Sequence, residues 1–114
     1  RIGKNMVNWY KNLYIGDTAK KKQKKWMHRI EKRKAAPGIW LLTLPSNPQN
    51  NLDVIPADLL LQTAVRKNCP LIVGLAVSRE EAIELVETIA AETYQETGEV
   101  RIREWLLKQI EGCE

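Results

Sequence analysis

Residues 71–98 constrain the fold of this chain most, because they combine a buried strand with a long helix. Residues 71–77 are an uninterrupted apolar run, which is typical of a strand covered on both faces, since an exposed face would carry polar side chains at every second position. Ser78 and Glu81 match a capping box, whose side chains bond backbone N–H groups at a helix start. Gly98 is a favourable helix end. The stretch therefore predicts a central strand followed by a capped helix.

This predicted helix has two different faces. Apolar residues recur at intervals of three and four, at Ala82, Leu85, Val86, Ile89, Ala90 and Tyr94. Glutamates fall mainly between them, at Glu80, Glu84, Glu87, Glu92 and Glu96. One face is therefore expected to be buried, and the other to be acidic and exposed.

Four predicted strands are each followed by a helix, at a spacing of roughly thirty residues that fits one βα unit. The predicted strands are 13–15, 39–44, 71–77 and 99–102, and the predicted helices are 18–34, 56–68, 79–97 and one that contains Trp105, Leu106, Leu107 and Ile110. These successive βα units predict an α/β fold: a small, mainly parallel sheet of three to four strands with helices packed on its faces. The alternative is an α+β sandwich in which the 13–15 or the 99–102 segment runs antiparallel.

The length of 114 residues is that of one domain. We expect a single α/β domain over 13–114 and an N-terminal extension over 1–12 that is partly ordered or was added in cloning. The hydrophobic share of 44% and the charged share of 28% are near globular averages and argue against a disordered chain. The sequence has no apolar run of membrane-spanning length and no signal-like start, which predicts a cytoplasmic protein without a membrane partner.

The sequence offers little for catalysis, metal binding or cofactor binding. Its only histidine, His28, lies in a lysine-rich helix, and Cys69 and Cys113 lack the spacing of metal ligands, so both thiols are expected to be buried or incidental. No GxGxxG or Walker motif is present. We predict no catalytic residue, no metal site and no cofactor. The alternative is a divalent cation held by Asp17 and Asp53 at two strand ends.

Charge is distributed unevenly along the chain. Residues 1–44 carry 12 basic and 2 acidic groups, whereas residues 45–114 carry 6 basic and 12 acidic groups. Such an asymmetry can bind an anionic partner, join two copies head to tail, or be satisfied within one chain.

The basic residues concentrate in the predicted helix 18–34. The candidate polyanion-binding residues are Lys20, Lys21, Lys22, Lys24, Lys25, Arg29, Lys32 and Arg33. Contacts between such cations and phosphates give salt-dependent binding to nucleic acid. In the alternative, the helix only presents a solvated charged face. Trp26 shares an apolar stripe with Met27 and Ile30, so it is expected to pack on the sheet rather than stack on a base.

A long loop rich in Asn, Ser and Pro follows the predicted strand 39–44. Ligands bind parallel α/β sheets beyond the carboxyl ends of strands, and long loops in compact domains are often functional. The candidate ligand-binding residues are Ser46, Asn47, Asn50, Asn51 and Asp53. Residues 16–18 and 78–79 are expected at the same edge, where Glu80 and Glu81 would repel a phosphate. A plain structural loop is the alternative.

Five short segments carry a family resemblance. They are Leu13-Tyr14-Ile15-Gly16 with the lysine run after it, Pro37-Gly38-Ile39, Ser46-Asn47-Pro48, Asn51-Leu52-Asp53-Val54-Ile55, and Ile72-Val73-Gly74-Leu75-Ala76 with Glu81-Ala82. In these segments the chain resembles a group of small uncharacterised bacterial proteins from anaerobic Gram-positive species, over about residues 13–105. The resemblance implies no activity, ligand or catalytic residue.

These observations predict a non-enzymatic protein that acts by binding or by self-association as a homo-oligomer. One alternative is binding of nucleic acid or another polyanion through the helix 18–34. The other is a small-ligand site at the strand carboxyl ends near 46–53.

Overall fold

A computed structural model describes residues 7–45 and 51–112 of the chain. Within these ranges, one sheet is formed by four strands: β1 (Trp9–Ile15), β2 (Trp40–Thr43), β3 (Asp53–Pro56) and β4 (Ile72–Ala76). The α-helices of the same ranges are α1 (Gln23–Glu31), α2 (Thr63–Lys67), α3 (Arg79–Thr97) and α4 (Ile102–Gly112). Two 3-10 helices lead into α1 and α2, and they cover Ala19–Lys22 and Ala57–Leu61.

The sheet is mixed rather than mainly parallel. Its strand order is β1-β4-β2-β3, in which β1 and β4 are parallel and β2 runs antiparallel to both of its neighbours. The α/β class is confirmed, but the mainly parallel sheet is wrong, and so is the alternative in which 13–15 or 99–102 is the reversed segment. Strands joined through a helix are parallel only where the chain returns to the end of the sheet at which the first strand began. Here β2 begins at the level where β1 ends, because Ile15 and Leu41 both pair with Leu75.

Strand β3 is not predicted from the sequence, because the composition of residues 45–53 indicates a loop and Pro56 indicates a helix start. β3 is the edge strand next to β2, with Trp40 opposite Pro56 and Thr43 opposite Asp53. Proline is tolerated in an edge strand. The connection between β2 and β3 is too short for a helical crossover, so the two strands pair antiparallel.

The predicted helix 56–68 is wrong as one helix, because extended Gln62 divides it into the 3-10 helix Ala57–Leu61 and α2. Two other boundaries differ from the prediction. β1 starts at Trp9 instead of residue 13, and it directs Trp9 to one face of the sheet and Tyr10 to the other. The predicted strand 99–102 is wrong, because α4 begins at Ile102. The alternating pattern of residues 99–102 is too short to distinguish a strand from the residues before a helix. The amphipathic pattern that continues from Ile102 favours the helix.

Each face of the sheet has its own hydrophobic core, because neighbouring residues of a strand point to opposite faces. Leu41 and Ile55 belong to the core under α1 and α2. Leu42 and Val54 belong to the core under α3 and α4. The sheet therefore separates two helical layers, one formed by α1 and α2 and the other by α3 and α4.

The strand and helix predicted for residues 71–98 are confirmed, but Tyr94, which was expected on the buried face of the helix, is exposed. β4 is an inner strand, and all of its residues are buried. The Ser78 Oγ accepts a hydrogen bond from the Glu81 backbone N–H at 3.0 Å, as expected of a helix N-cap. At the other end, Gly98 has a φ of 78° and donates its N–H to the carbonyl of Tyr94, which ends α3 in a left-handed cap.

Candidate functional site

The predicted basic helix 18–34 consists of the 3-10 helix Ala19–Lys22 and the shorter helix α1. Its inner side packs on the sheet through buried Ile30 and partly buried Trp26 and Met27. The expectation that Trp26 packs on the sheet is therefore confirmed. The opposite side carries the lysines.

The candidate polyanion-binding residues divide into two groups. The arginines bond to the protein itself: Arg29 Nε donates to the Ala35 carbonyl at 2.8 Å, and Arg33 Nη2 donates to the Leu61 carbonyl at 3.3 Å and to Thr63 Oγ1 at 3.0 Å. The lysines are exposed, and we call them the basic face: Lys20, Lys21, Lys22, Lys24, Lys25 and Lys32.

A buried arginine holds the segment that carries the basic face. Arg66 of α2 is only 2% exposed, and its guanidinium donates to the Ile30 carbonyl at 2.7 Å and to the Glu31 carbonyl at 2.8 Å. These carbonyls lie in the last turn of α1, where a helix lacks its regular backbone donors; Ile30 also accepts the N–H of Arg33 at 3.2 Å. Burial, and then the nearby Arg33, lower the pKa of Arg66. The Glu31 side chain also accepts a hydrogen bond from Trp9 Nε1 at 2.9 Å, so α1 is fixed to both α2 and β1.

The basic face has little charge compensation. Within residues 7–45 and 51–112 its one ion pair joins Lys20 Nζ to Asp17 Oδ1 at 3.9 Å, with both side chains exposed. An exposed pair contributes little to stability. Lys25 Nζ lies 5.1 Å from the centroid of the Trp26 ring, a cation–π distance that leaves the ammonium group at the surface.

Acidic side chains occupy the opposite helical layer. We call the exposed glutamates of α3 the acidic face, and they are Glu80, Glu84, Glu87 and Glu96. None of them forms an ion pair with another described residue. Because the sheet lies between α1 and α3, the basic and acidic faces do not neutralise each other within one copy.

The carboxyl ends of β1 and β4 meet, but the chain itself occupies the anion position there. Glu81 Oε2 accepts a hydrogen bond from the Thr18 N–H at 2.9 Å, and Oε1 accepts one from the Val77 N–H at 2.9 Å. Burial raises the pKa of Glu81, and the bonds from Val77 and Thr18 more than reverse that effect, so the pKa is lowered overall. We expected this helix start to disfavour a phosphate. The Glu81 side chain agrees with that expectation, because its carboxylate already occupies the position of an anion.

A cavity of about 420 Å³ lies beside this carboxylate. It is lined by Tyr14, Ile15, Gly16, Asp17, Thr18, Glu81, Glu84, Leu85 and Thr88. Its charged lining groups are all carboxylates, so it does not suit an anionic ligand. The Tyr14 hydroxyl donates to Glu92 Oε1 at 2.8 Å, and burial together with this glutamate raises the pKa of Tyr14. Tyr14 is therefore held in its protonated form.

The predicted ligand loop lies at the other end of the sheet. Ser46, Asn47 and Asn50 fall outside the described residues. Asn51 Oδ1 accepts the Ile102 N–H at 3.1 Å and its Nδ2 donates to the Val100 carbonyl at 3.3 Å, while Asp53 is paired with Thr43 in the sheet. Since β2 is reversed, its carboxyl end lies next to the start of β4, away from residues 16–18 and 78–79. The expected common edge of the three loops is therefore wrong.

The residues considered for metal binding or catalysis are not brought together. Asp17 follows the end of β1. Asp53 lies level with the start of β1, because Asp53 pairs with Thr43, Thr43 with Ile72, and Ile72 with Trp9. The proposed aspartate pair is therefore wrong. His28 is exposed on α1. In the described part of the chain, no group of three His, Cys, Asp or Glu side chains could hold a metal ion.

Of the two cysteines, Cys69 is partly buried and its Sγ donates to the Pro70 carbonyl at 3.3 Å. Burial raises the pKa of this thiol, which makes it a weaker nucleophile at neutral pH. Cys113 lies outside the described residues.

Together these features define a mixed-sheet α/β protein with a basic helical layer on one face and an acidic one on the other. Across the described ranges no helix is both long and apolar enough to cross a membrane. Comparisons with protein-family models, curated proteins and solved structures give no match for the chain. The resemblance to small bacterial proteins stays a prediction.

Proposed function

We propose that this protein acts by binding rather than by catalysis, and that the basic face binds the phosphate backbone of nucleic acid. The observation that carries the proposal is the basic face itself, whose lysines are exposed on one anchored segment and form a single long ion pair among the described residues. A concentrated set of uncompensated cations attracts a polyanion and releases its counterions on binding.

The contacts available on this surface favour backbone binding over recognition of base sequence. Lysine ammonium groups act on phosphates as point charges. The aromatic residue of α1, Trp26, packs on the sheet, so its ring is not a free platform for a base. We therefore propose binding that depends strongly on salt and weakly on sequence.

The anchoring of α1 supports the same proposal. Arg66 and Trp9 fix the helix to two other elements, at Ile30 and Glu31. A surface that is already ordered loses less conformational entropy when a partner binds. The backbone that carries the lysines is thus ordered before binding, while their exposed side chains stay flexible.

A non-enzymatic role is part of the proposal. Its support is that the side chains with shifted pKa values each have a structural partner: Glu81 holds two backbone N–H groups, Arg66 caps α1, Tyr14 bonds Glu92, and Cys69 bonds a carbonyl. The cytoplasmic location predicted from the sequence belongs here too, because nucleic acids are accessible there. The small-ligand alternative now depends on Ser46, Asn47, Asn50 and Asp53, since the Asn51 side chain bonds Ile102 and Val100.

The test compares two charge-reversal variants with wild type by fluorescence anisotropy of labelled duplex DNA and single-stranded RNA at about 50 mM salt. The first variant is Lys21→Glu/Lys24→Glu/Lys25→Glu. The control, Arg79→Glu/Arg103→Glu/Lys108→Glu, makes the same change in net charge on α3 and α4. We expect the first variant to lose at least tenfold in affinity and the control to lose much less.

The salt dependence gives a second readout. Each phosphate contact makes the negative slope of log K against log salt steeper by about 0.9 on duplex DNA. The first variant should therefore make the slope shallower by about three, and the control should leave it near the wild-type value. Wild type that binds neither probe at low salt would overturn the proposal. Equal losses in the two variants would assign the effect to net charge alone and would also overturn it.

A further inference from the structure

The acidic face is accompanied by apolar side chains that are also exposed. On α3, Ile83 is 37% exposed and Tyr94 is 60% exposed, and they lie among the glutamates of the acidic face. Ile83, Glu87 and Tyr94 follow helical spacing along one side of α3. Exposed tyrosines are enriched in sites for another macromolecule, and charged side chains belong to the rim of such sites.

We propose that the acidic face of one copy docks on the basic face of a second copy, so that molecules associate head to tail. The two faces carry opposite charge and lie on opposite sides of the same sheet. Among the described residues of one copy no ion pair joins the two faces, whereas two copies can oppose them. Charge complementarity between the faces therefore selects a second copy as the occupant.

The two faces overlap over part of their length. Glu80, Glu84 and Glu87 share one side of α3 within about 10 Å of helix, whereas Glu96 lies about 160° around the helix axis from Glu80. The basic face runs from Lys20 to Lys32 over about 20 Å of 3-10 and α-helix. Glutamates and lysines can thus be opposed over about half the length of the basic face.

The contact uses different surfaces on the two partners, so an open assembly leaves one basic and one acidic face unoccupied at its ends. Such heterologous contacts form rings where the rotation closes and open chains where it does not. On the side of α3 from Glu80 to Tyr94, a strip about 21 Å long and roughly 12 Å wide covers about 250 Å² per partner, which is well below the roughly 800 Å² of a stable interface. The association is therefore weak, concentration-dependent and sensitive to salt.

The association also regulates the proposed function. Both the nucleic acid and the second copy use the basic face, so they exclude each other, and this consequence rests on the proposed function. The association itself does not, since it requires only the two charged faces. Failure of nucleic-acid binding and failure of association are therefore separate results.

The experiment measures mass by sedimentation equilibrium over a range of protein concentrations, at about 50 mM and about 500 mM salt. We expect wild type to gain mass with concentration at low salt and to be a monomer at high salt. Two neutralising variants test the polarity: Lys21→Gln/Lys24→Gln/Lys25→Gln removes the basic face, and Glu80→Gln/Glu84→Gln/Glu87→Gln removes the acidic face.

Each variant alone should stay a monomer at low salt, because it lacks one half of the contact. An equimolar mixture should form a 1:1 complex that does not grow, because each variant retains the half that the other lacks. Circular dichroism and thermal unfolding check that both variants are folded. Monomeric wild type at low salt, self-association that survives in either variant, or a mixture that stays monomeric would overturn the inference.

Discussion

The carboxylate of Glu81 lies against the backbone of Gly16, in the space that a side chain on residue 16 would fill. The two residues belong to different parts of the chain, one after β1 and the other in the first turn of α3. Their contact lets Glu81 bond the N–H groups of Thr18 and Val77 at once. It therefore ties the ends of the two parallel strands together and closes the position where such sheets commonly bind anions.

Gly16→Ala should destabilise the protein by about 1–3 kcal/mol, because the new methyl group displaces the Glu81 carboxylate from its two backbone N–H groups. Chemical denaturation measures this free energy of unfolding. The matched comparison is Gly16→Ala in a Glu81→Ala background, where no carboxylate is present to be displaced. The glycine substitution should then have a much smaller effect, and equal effects in both backgrounds would contradict the contact.

The lowered pKa of Glu81 predicts how its contribution to stability depends on pH. A carboxyl group whose pKa is lower in the folded state stabilises fully above its unfolded pKa, and the contribution disappears as the pH falls through the folded value. The difference in free energy of unfolding between wild type and Glu81→Gln should therefore be largest above pH 4.5, the ordinary pKa of the group, and should shrink below it.

Urea denaturation from about pH 3 to pH 7 measures that difference. Glu87→Gln is the control, because it also removes one negative charge from α3. Glu87 is exposed, and its side chain accepts no hydrogen bond from another described residue. A difference for Glu81→Gln that grows toward low pH would have the wrong sign and would reject the explanation.

Part of this architecture can be read from the sequence because it depends on local pattern. The apolar run of β4, the cap at Ser78 and the end of α3 at Gly98 each have a strong local signal, and all are confirmed. The order and direction of the strands have no such signal. They depend on β3, whose four residues include Pro56, and on the insertion of β4 between β1 and β2.

The candidate site was predictable to a similar degree. A run of lysines identifies the exposed cations of the basic face, but it does not distinguish them from Arg29 and Arg33, whose partners come from outside the run. The roles of Arg66 and Asn51 leave no local pattern, because each bonds backbone groups far away in sequence. The two charged faces lie on opposite sides of the sheet because of the order and direction of the strands. The sequence pattern does not predict either, so it could not predict this placement.

Arg66→Met should destabilise the protein by about 2–4 kcal/mol. The substitution leaves the buried carbonyl of Ile30 and the part-buried carbonyl of Glu31 without the guanidinium that now bonds both. Chemical denaturation measures the loss, and hydrogen exchange should show the last turn of α1 opening more often than in wild type. Lys67→Met changes the exposed neighbour and should stay within about 0.5 kcal/mol of wild type. Equal effects would contradict the capping role.

Asn51→Ala should destabilise the protein by about 1 kcal/mol, because the Asn51 side chain caps the start of α4 at Ile102 and bonds the Val100 carbonyl. The measurement is the free energy of unfolding. Asn12→Ala, at an exposed position in β1, is the control and should have little effect. If Asn51→Ala left stability unchanged, the residue would return to the group of candidate ligand-binding residues.

Lys24 and Arg33 should respond differently to substitution by glutamine, although both were candidates for polyanion binding. Lys24 is exposed on the basic face, so Lys24→Gln should lower the salt slope of DNA binding by about 0.9 and leave stability within about 0.5 kcal/mol. Arg33 bonds Leu61 and Thr63, so Arg33→Gln should lower the free energy of unfolding by about 1 kcal/mol. Anisotropy titrations and urea denaturation of both variants make the comparison. A salt slope that Lys24→Gln leaves unchanged would place the phosphate contacts elsewhere on the protein.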